Sequence, residues 1–298
     1  MNIQIKLAII AILIVIPLSS FAVSGTNSNI QFTITDNSKL QVISSFNPLH
    51  EFSQNVGMQK IDATLLVPIG VEPHDWEPTI KDVQQMQASD IIVINGIGFE
   101  NWVDKISDEN YQGTIVDTSN KILVKLEEEH NSKDPHIWLI PGNAKIQVQN
   151  IATAFSNADP ENQQYYESNA QKYIQKLDLL DSKIRNELSG CATDFITLHD
   201  AFSYFADEYD LNQHVIISST DSHGEATAKT LANIISTAKK LDIQIIFGED
   251  DADVRTSQII ADDIGGNVLV LSTMEISSDE TYISKMNQNL ENLKEALC

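Results

Sequence analysis

These 298 residues predict an α/β chain of two lobes with parallel-type sheets joined by one long backbone helix. Three observations carry that prediction. Short apolar runs alternate with amphipathic stretches, the pattern of strands crossing over through helices. The alternation breaks off once, between Asp159 and Gly190, and then restarts. Across the break Tyr166, Ala170, Tyr173, Ile174, Leu177, Leu180, Ile184 and Leu188 recur every three or four residues, so one face is apolar throughout. Asp159-Pro160-Glu161 reads as an N-cap, a first-turn proline and an acid at the positive helix end, and Gly190 as the C′ residue. About thirty helical residues span roughly 45 Å, the width of a domain. A coiled-coil arm or an ordinary core helix shares this periodicity. The matched α/β segments on either side favour a helix between two lobes.

Taken in order, residues 1–24 read as a signal peptide: Lys6, the apolar run Leu7–Ile16, Pro17, then small residues. The run is short for a membrane span, which leaves an uncleaved anchor as second choice. No cysteine follows it, which argues against a lipid-anchored N-terminus. Residues 25–38 form a polar lead-in. The N-terminal lobe, 39–158, should hold strands at Leu40–Phe46, Ala63–Val67, Ile91–Ile94 and Thr114–Val116. Helices are expected at Asn47–Gly57, around Ile80–Ala88, through Phe99, Trp102 and Val103, and from Gly142 to Phe155. After the connector, 159–190, the C-terminal lobe, 191–298, should hold strands at Phe195–Leu198, His214–Ser218, Ile243–Phe247 and Val268–Leu271. Its helices are expected at Ala201–Glu208, Ala226–Lys240, Val254–Ile264 and Glu280–Leu297.

Composition narrows the function. The formal charge is −23, and losing Lys6 with the leader makes it −24. Such a surface repels phosphates and argues against nucleic acid as a partner. The two cysteines, Cys191 and Cys298, can pair in an oxidising compartment and close a loop of about a hundred residues, worth roughly 4–5 kcal/mol. Two free thiols are the alternative.

Three histidines fall where parallel sheets present ligands, at the carboxyl ends of strands. His74 follows a strand and its turn, His136 lies in the loop after Asp134-Pro135, and His199 ends a strand. Each is more than sixty residues from the next, so no local spacing marks a site. Three neutral imidazoles meeting at one point suit Zn²⁺, with Mn²⁺ or Fe²⁺ less favoured. Taken singly, each is more often a structural histidine.

Gly70-Val71-Glu72-Pro73-His74-Asp75-Trp76-Glu77-Pro78-Thr79 resembles the first metal motif of the zinc/manganese solute-binding proteins of ABC transporters. Asn95-Gly96-Ile97-Gly98-Phe99-Glu100-Asn101-Trp102 is similar to that family's next segment. Asp134-Pro135-His136-Ile137-Trp138 resembles its second metal motif and His199-Asp200-Ala201-Phe202 its third. The resemblance implies two α/β lobes, a rigid connecting helix, and a metal held between them by His74, His136 and His199. Zn²⁺ is the implied transported ligand, with Mn²⁺ possible, and a histidine at the third position resembles the zinc-preferring branch. An ABC membrane permease is the implied partner, with the receptor an extracytoplasmic monomer.

The fourth ligand is where the chain departs from its relatives, many of which carry an aspartate after the last strand. Here Leu271-Ser272-Thr273-Met274-Glu275 stands there. Glu275 is the expected oxygen donor, with Ser272, Glu249 or a water as alternatives. The acidic stretch Glu127–Asp134 is expected to be an exposed loop, with Glu127–His130 as a weak cation-collecting lip. His50 and His223 are not expected to be ligands, and Trp76, Trp102 and Trp138 should pack around the site. Asp251-Ala252-Asp253 begins like a calcium loop but lacks its sixth-position glycine. The rival class is a zinc hydrolase on the same three histidines, with Glu249 or Glu275 as general base. Neither an HExxH helix nor a GxSxG elbow supports it. A metal-binding surface adhesin is the third reading.

Overall fold

The computed structural model describes residues 39–107, 111–126, 133–217, 227–249, 255–276 and 280–298. The leader, the lead-in, the Glu127–His130 lip, His223 and Asp251–Asp253 lie outside the described residues.

Two all-parallel four-stranded sheets carry the chain. The first holds β1 (Leu40–Ser44), β2 (Ile61–Leu65), β3 (Ile91–Ile94) and β4 (Thr114–Asp117) in the order β2-β1-β3-β4. The second holds β5 (Asp194–His199), β6 (Asn212–Ile217), β7 (Ile245–Gly248) and β8 (Asn267–Val270) in the order β6-β5-β7-β8. Val42 pairs with Ala63 on one side and Ile91 on the other, and Ile196 pairs with His214 and Ile246. In both sheets the order reverses beside the first strand, which opens a crevice at the carboxyl ends. The sequence of β3, Ile91-Ile92-Val93-Ile94, is apolar at every position because both of its faces are covered.

The helices are α1 (Asn47–Gly57), α2 (Ile80–Gln87), α3 (Asp104–Ser107), α4 (Pro141–Ala158), α5 (Gln163–Leu188), α6 (Ser203–Glu208), α7 (Ala228–Leu241), α8 (Arg255–Ile264) and α9 (Tyr282–Leu297). Three of them start on threonine caps: Thr79 closes a full capping box with Asp82, and Thr227 and Thr281 accept from the third helical residue. One hydrophobic core runs through both sheets: Val42, Ile91 and Val93 meet Phe195, Phe247 and Leu271 by way of α1, α4, α5 and α9. Ile43, Ile92 and Ile94 turn the other way, into a cluster with Trp102, while Ile196, Ile216 and Ile246 do the same under α7 and α8. The period of two along each strand sorts its residues between these layers.

The 26 residues of α5 span about 39 Å and bury Tyr166, Ala170, Tyr173, Leu177, Leu180, Ile184 and Leu188 in the shared core. The connector therefore exists, but it begins later than its sequence suggests. The N–H of Asp159 bonds to Phe155 O and so ends α4, and a 3₁₀ turn, Pro160–Asn162, intervenes before α5. Asp159 makes no side-chain cap; its carboxylate accepts instead from Asn162 and Tyr166. Gly190 takes the expected left-handed turn, at φ +85°.

A second correction falls on Phe99, Trp102 and Val103, which sit in turns, with only Asp104–Ser107 helical. Ile97 and Gly98 have φ of 64° and 93°, which no α-helix tolerates, and the Glu100 carboxylate takes the N–H groups of Asn95 and Gly96. Cys191 and Cys298 form a disulfide with Cα atoms 4.7 Å apart, tying the last residue of the chain to the start of the second sheet. Among the described residues no helix is long and apolar enough to cross a membrane.

Candidate metal centre

Every predicted ligand sits beyond the carboxyl end of a strand. His74 is in the loop after β2, His136 in the segment between β4 and α4, His199 at the last position of β5, and Glu275 between β8 and α9. Side chains from the ends of both sheets meet there: Glu275 with His74 and His136, and the His136 ring with that of His199.

Glu275 is the meeting point. Its Oε1 lies 3.1 Å from His74 Nε2 and 3.3 Å from His136 Nε2. Donors at two corners of a tetrahedral zinc shell, with bonds of about 2.0 Å, stand about 3.3 Å apart, so the spacing suits one shared ion. His74, His136 and Glu275 together offer ligand atoms that all lie within 4.8 Å of one another. His199 stands just outside this tightest group, its ring 5.4 Å from that of His136. Its Nε2 and that of His136 are buried and make no hydrogen bond. His136 Nε2 has the Glu275 carboxylate beside it, whereas a buried nitrogen such as His199 Nε2 is costly unless something else takes it up.

Both deep rings are held from behind by carboxylates. Asp134 Oδ1 accepts from His136 Nδ1 at 2.8 Å and from its backbone N–H at 3.0 Å. Glu249 Oε1 does the same for His199, at 2.5 Å and 3.2 Å. A carboxylate at Nδ1 fixes the proton there and leaves Nε2 for a metal. Asp134 is in turn anchored by Ser203 Oγ and by Tyr204, whose hydroxyl donates to its carbonyl at 3.0 Å.

Two expectations change here. Asp134, expected on an exposed loop, is 2% exposed because its carboxylate is bonded to the buried His136 ring and backbone. Glu249, weighed as a fourth ligand, is bonded instead to the far nitrogen of His199. A carboxylate two residues before a ligand histidine was the available signal for Asp134. None pointed Glu249 at His199, fifty residues away. Ser272, the other alternative, accepts the Met274 N–H on its hydroxyl and gives its own N–H to the Asn289 side chain on α9. His50 lies apart, on α1. Of the tryptophans only Trp138 packs on the ligands, 5.3 Å from the His136 ring; Trp76 and Trp102 pair with each other on the outer face of the first sheet.

The electrostatics follow from this geometry. Burial drags the His136 ring down, but the hydrogen bond to Asp134 and the neighbouring Glu275 outweigh it and push it up to about 10. His199 is likewise raised, burial being outweighed by Glu249. Burial pushes Glu275 up, yet His74 and His136 beside it hold it well below the usual carboxylate range. Glu72, which accepts the His74 N–H at 3.1 Å, is raised by burial and by the Glu275 charge.

The family profile of ZnuA, described as zinc-uptake complex component A, periplasmic, matches residues 42–296. The chain belongs to this family. The ZnuA protein of Bacillus subtilis (strain 168), described as a high-affinity zinc uptake system protein, is 36% identical over 298 residues, 93% of each chain. The Zn(II)-bound ZnuA-like domain of Streptococcus pneumoniae AdcA matches with a TM-score of 0.78 and 31% identity, over 87% of this chain and 99% of that domain. Against whole AdcA, this chain spans 58% of the length. The laminin-binding protein Lmb of Streptococcus agalactiae, described as bifunctional with adhesin and metal transporting activity, matches at a TM-score of 0.81 and 25% identity, over 87% and 99%. The two parallel sheets and the long helix are thus the ZnuA-type architecture.

Proposed function

We propose that this ZnuA-family chain is an extracytoplasmic receptor that captures Zn²⁺ through His74, His136, His199 and Glu275 and delivers it to an ABC permease. The observation that carries the reading is the meeting of His74 Nε2, His136 Nε2 and Glu275 Oε1 in one group, His136 and Glu275 buried and His74 partly so, with both deep imidazoles backed by carboxylates. Three nitrogens and one oxygen are a zinc donor set, and manganese, which prefers more oxygen, ranks second. Residues 1–24 act as the export leader and 25–38 as a lead-in. Residues 39–158 and 191–298 are the lobes, 159–190 is the connector, and the receptor works as a monomer.

A hydrolase on the same ligands needs an open corner for an activated water and a base beside it. Glu275 stands at that corner, and Glu249 is bonded to His199, which favours carriage over catalysis. Likeness to Lmb favours adhesion as a second activity of the same fold, testable by laminin binding with and without zinc. Competition titration of the purified protein against a zinc chelator, with His74→Ala, His136→Ala, His199→Ala and Glu275→Gln, tests the main reading. One zinc per chain, weakened in every variant, is expected. Unchanged affinity in all four sinks the site, and turnover of an ester or peptide that tracks zinc content restores the hydrolase.

A further inference from the structure

The carboxylate at the centre of the site hangs on a short loop between β8 and α9, and that loop is held from two sides. From α9, Asn289 accepts the Ser272 N–H and donates to the Ser272 carbonyl, each at 2.8 Å. From the first lobe, the indole Nε1–H of Trp138 donates to the Thr273 carbonyl at 2.8 Å. Between these anchors and Glu275 stands Met274 with φ 62°, a conformation that a side-chain-bearing residue holds only when its surroundings impose it. Thr273 also gives its hydroxyl to Glu275 Oε2 at 3.0 Å, so the position of the Thr273 peptide is passed directly to the carboxylate.

Trp138 is joined to the other side of the site as well. It lies two residues beyond His136 in the turn Ile137–Leu139, is fully buried, and packs against the His136, Phe46 and Phe99 rings. Its carbonyl accepts from the Tyr282 hydroxyl at 2.7 Å, and the Tyr282 N–H goes to Glu51 on α1. A single side chain therefore touches the loops that carry ligands from both lobes. Buried without water to replace its acceptor, an indole N–H holds tightly to the one it has.

We propose that Trp138 is a positioning residue for Glu275: its indole N–H, given to the Thr273 carbonyl, sets where the carboxylate stands relative to His136. The sequence marks Trp138 only as packing, and its apolar surface does pack. The hydrogen bond is a separate role, because it reaches the opposite lobe. This inference rests on the zinc reading of the site.

The test is a double-variant cycle of Trp138→Phe with Glu275→Gln, with zinc affinity measured by chelator competition. The visible spectrum of the Co²⁺-loaded protein serves as a second readout, since it reports the ligand set. Phenylalanine keeps the aromatic packing on His136 and removes the N–H. W138F should weaken zinc by about 10–100-fold, the range for an outer partner of a metal ligand. It should also shift the Co²⁺ bands in the direction of E275Q and add less than about threefold to the loss already caused by E275Q. Asn289→Ala, which frees the same loop at its other anchor, carries the same cycle if W138F does not fold. A variant within about threefold of wild type, or losses that multiply in the double variant, overturns the inference and leaves the zinc site standing. A wild-type protein that takes up no zinc overturns both.

Discussion

His136 and His74 address the same oxygen of Glu275, from 3.3 and 3.1 Å, under opposite constraints. The His136 side chain is 1% exposed, bonded to Asp134 through Nδ1 and its own N–H, and packed on Trp138. His74 has a side chain 20% exposed, an edge contact with Phe99, a backbone N–H given to Glu72, and a ring held through Nε2 by Glu275 alone of the site's carboxylates. One imidazole is built into the core, where order is supplied by folding. The other sits on the loop that follows β2 and is partly exposed. A receptor that must both hold an ion and give it up is served by such a pair.

The largest effect that separates them is expected from His136→Ala. It should cost more than about 100-fold in zinc affinity, beyond the range for outer partners, whereas His74→Ala should cost less and act chiefly by speeding metal loss. Stopped-flow transfer of zinc to a chelator measures both. Equal off-rates in the two variants would erase the contrast.

Next in size, Asp134→Asn should weaken zinc by about 10–100-fold, because the amide orients the His136 ring less firmly and no longer stabilises its Nδ1–H. The matching change behind His74, Glu72→Gln, should do less, since Glu72 bonds backbone and not ring. Calorimetric affinities of both variants check this.

A third prediction concerns pH. Zinc takes the neutral ring, and with His136 pushed up to about 10 the metal-free protein carries a proton there at neutral pH. Binding must release it. Affinity therefore falls on acidification and goes on rising between about pH 7 and pH 9, about tenfold per unit for one proton, where ordinary imidazoles would level off above about 6.5. Calorimetry in buffers of different ionisation enthalpy counts the protons. His136→Ala should flatten the alkaline slope to what the raised His199 ring contributes, and His74→Ala should retain it.

The smallest effect is expected from Asn95→Ala. Its side-chain amide donates to the Pro135 carbonyl at 2.8 Å and accepts from Gln147, steadying the segment that carries His136. Its loss should cost a few-fold in affinity, at the low end of the range for an outer partner. A loss as large as that of Asp134→Asn would mean the backbone, not the carboxylate, holds His136.

Elements whose signals are local were legible. The helix Asn47–Gly57 and the strand Ile91–Ile94 lie where their Asn-Pro start, closing glycine and unbroken apolar run put them. Strand and helix alternation predicted both sheets, and the face from Tyr166 to Leu188 predicted what the long helix buries. Phe99, Trp102 and Val103 have helical spacing, but a buried carboxylate, Glu100, captured the backbone donors ahead of them.

The three histidines were legible as residue types at strand ends. The sequence by itself thus determined the alternation of strands and helices, the apolar faces that make one core, and which side chains are able to bind a cation. The tertiary structure alone decided that Glu275 and not Glu249 meets His74 and His136, that Asp134 is buried, and that Trp138 reaches Thr273. Periodicity is a property of neighbours along the chain, within a turn or two. These pairings join residues brought together only when two sheets dock on one helix, and nothing in local spacing encodes the angle at which they do so.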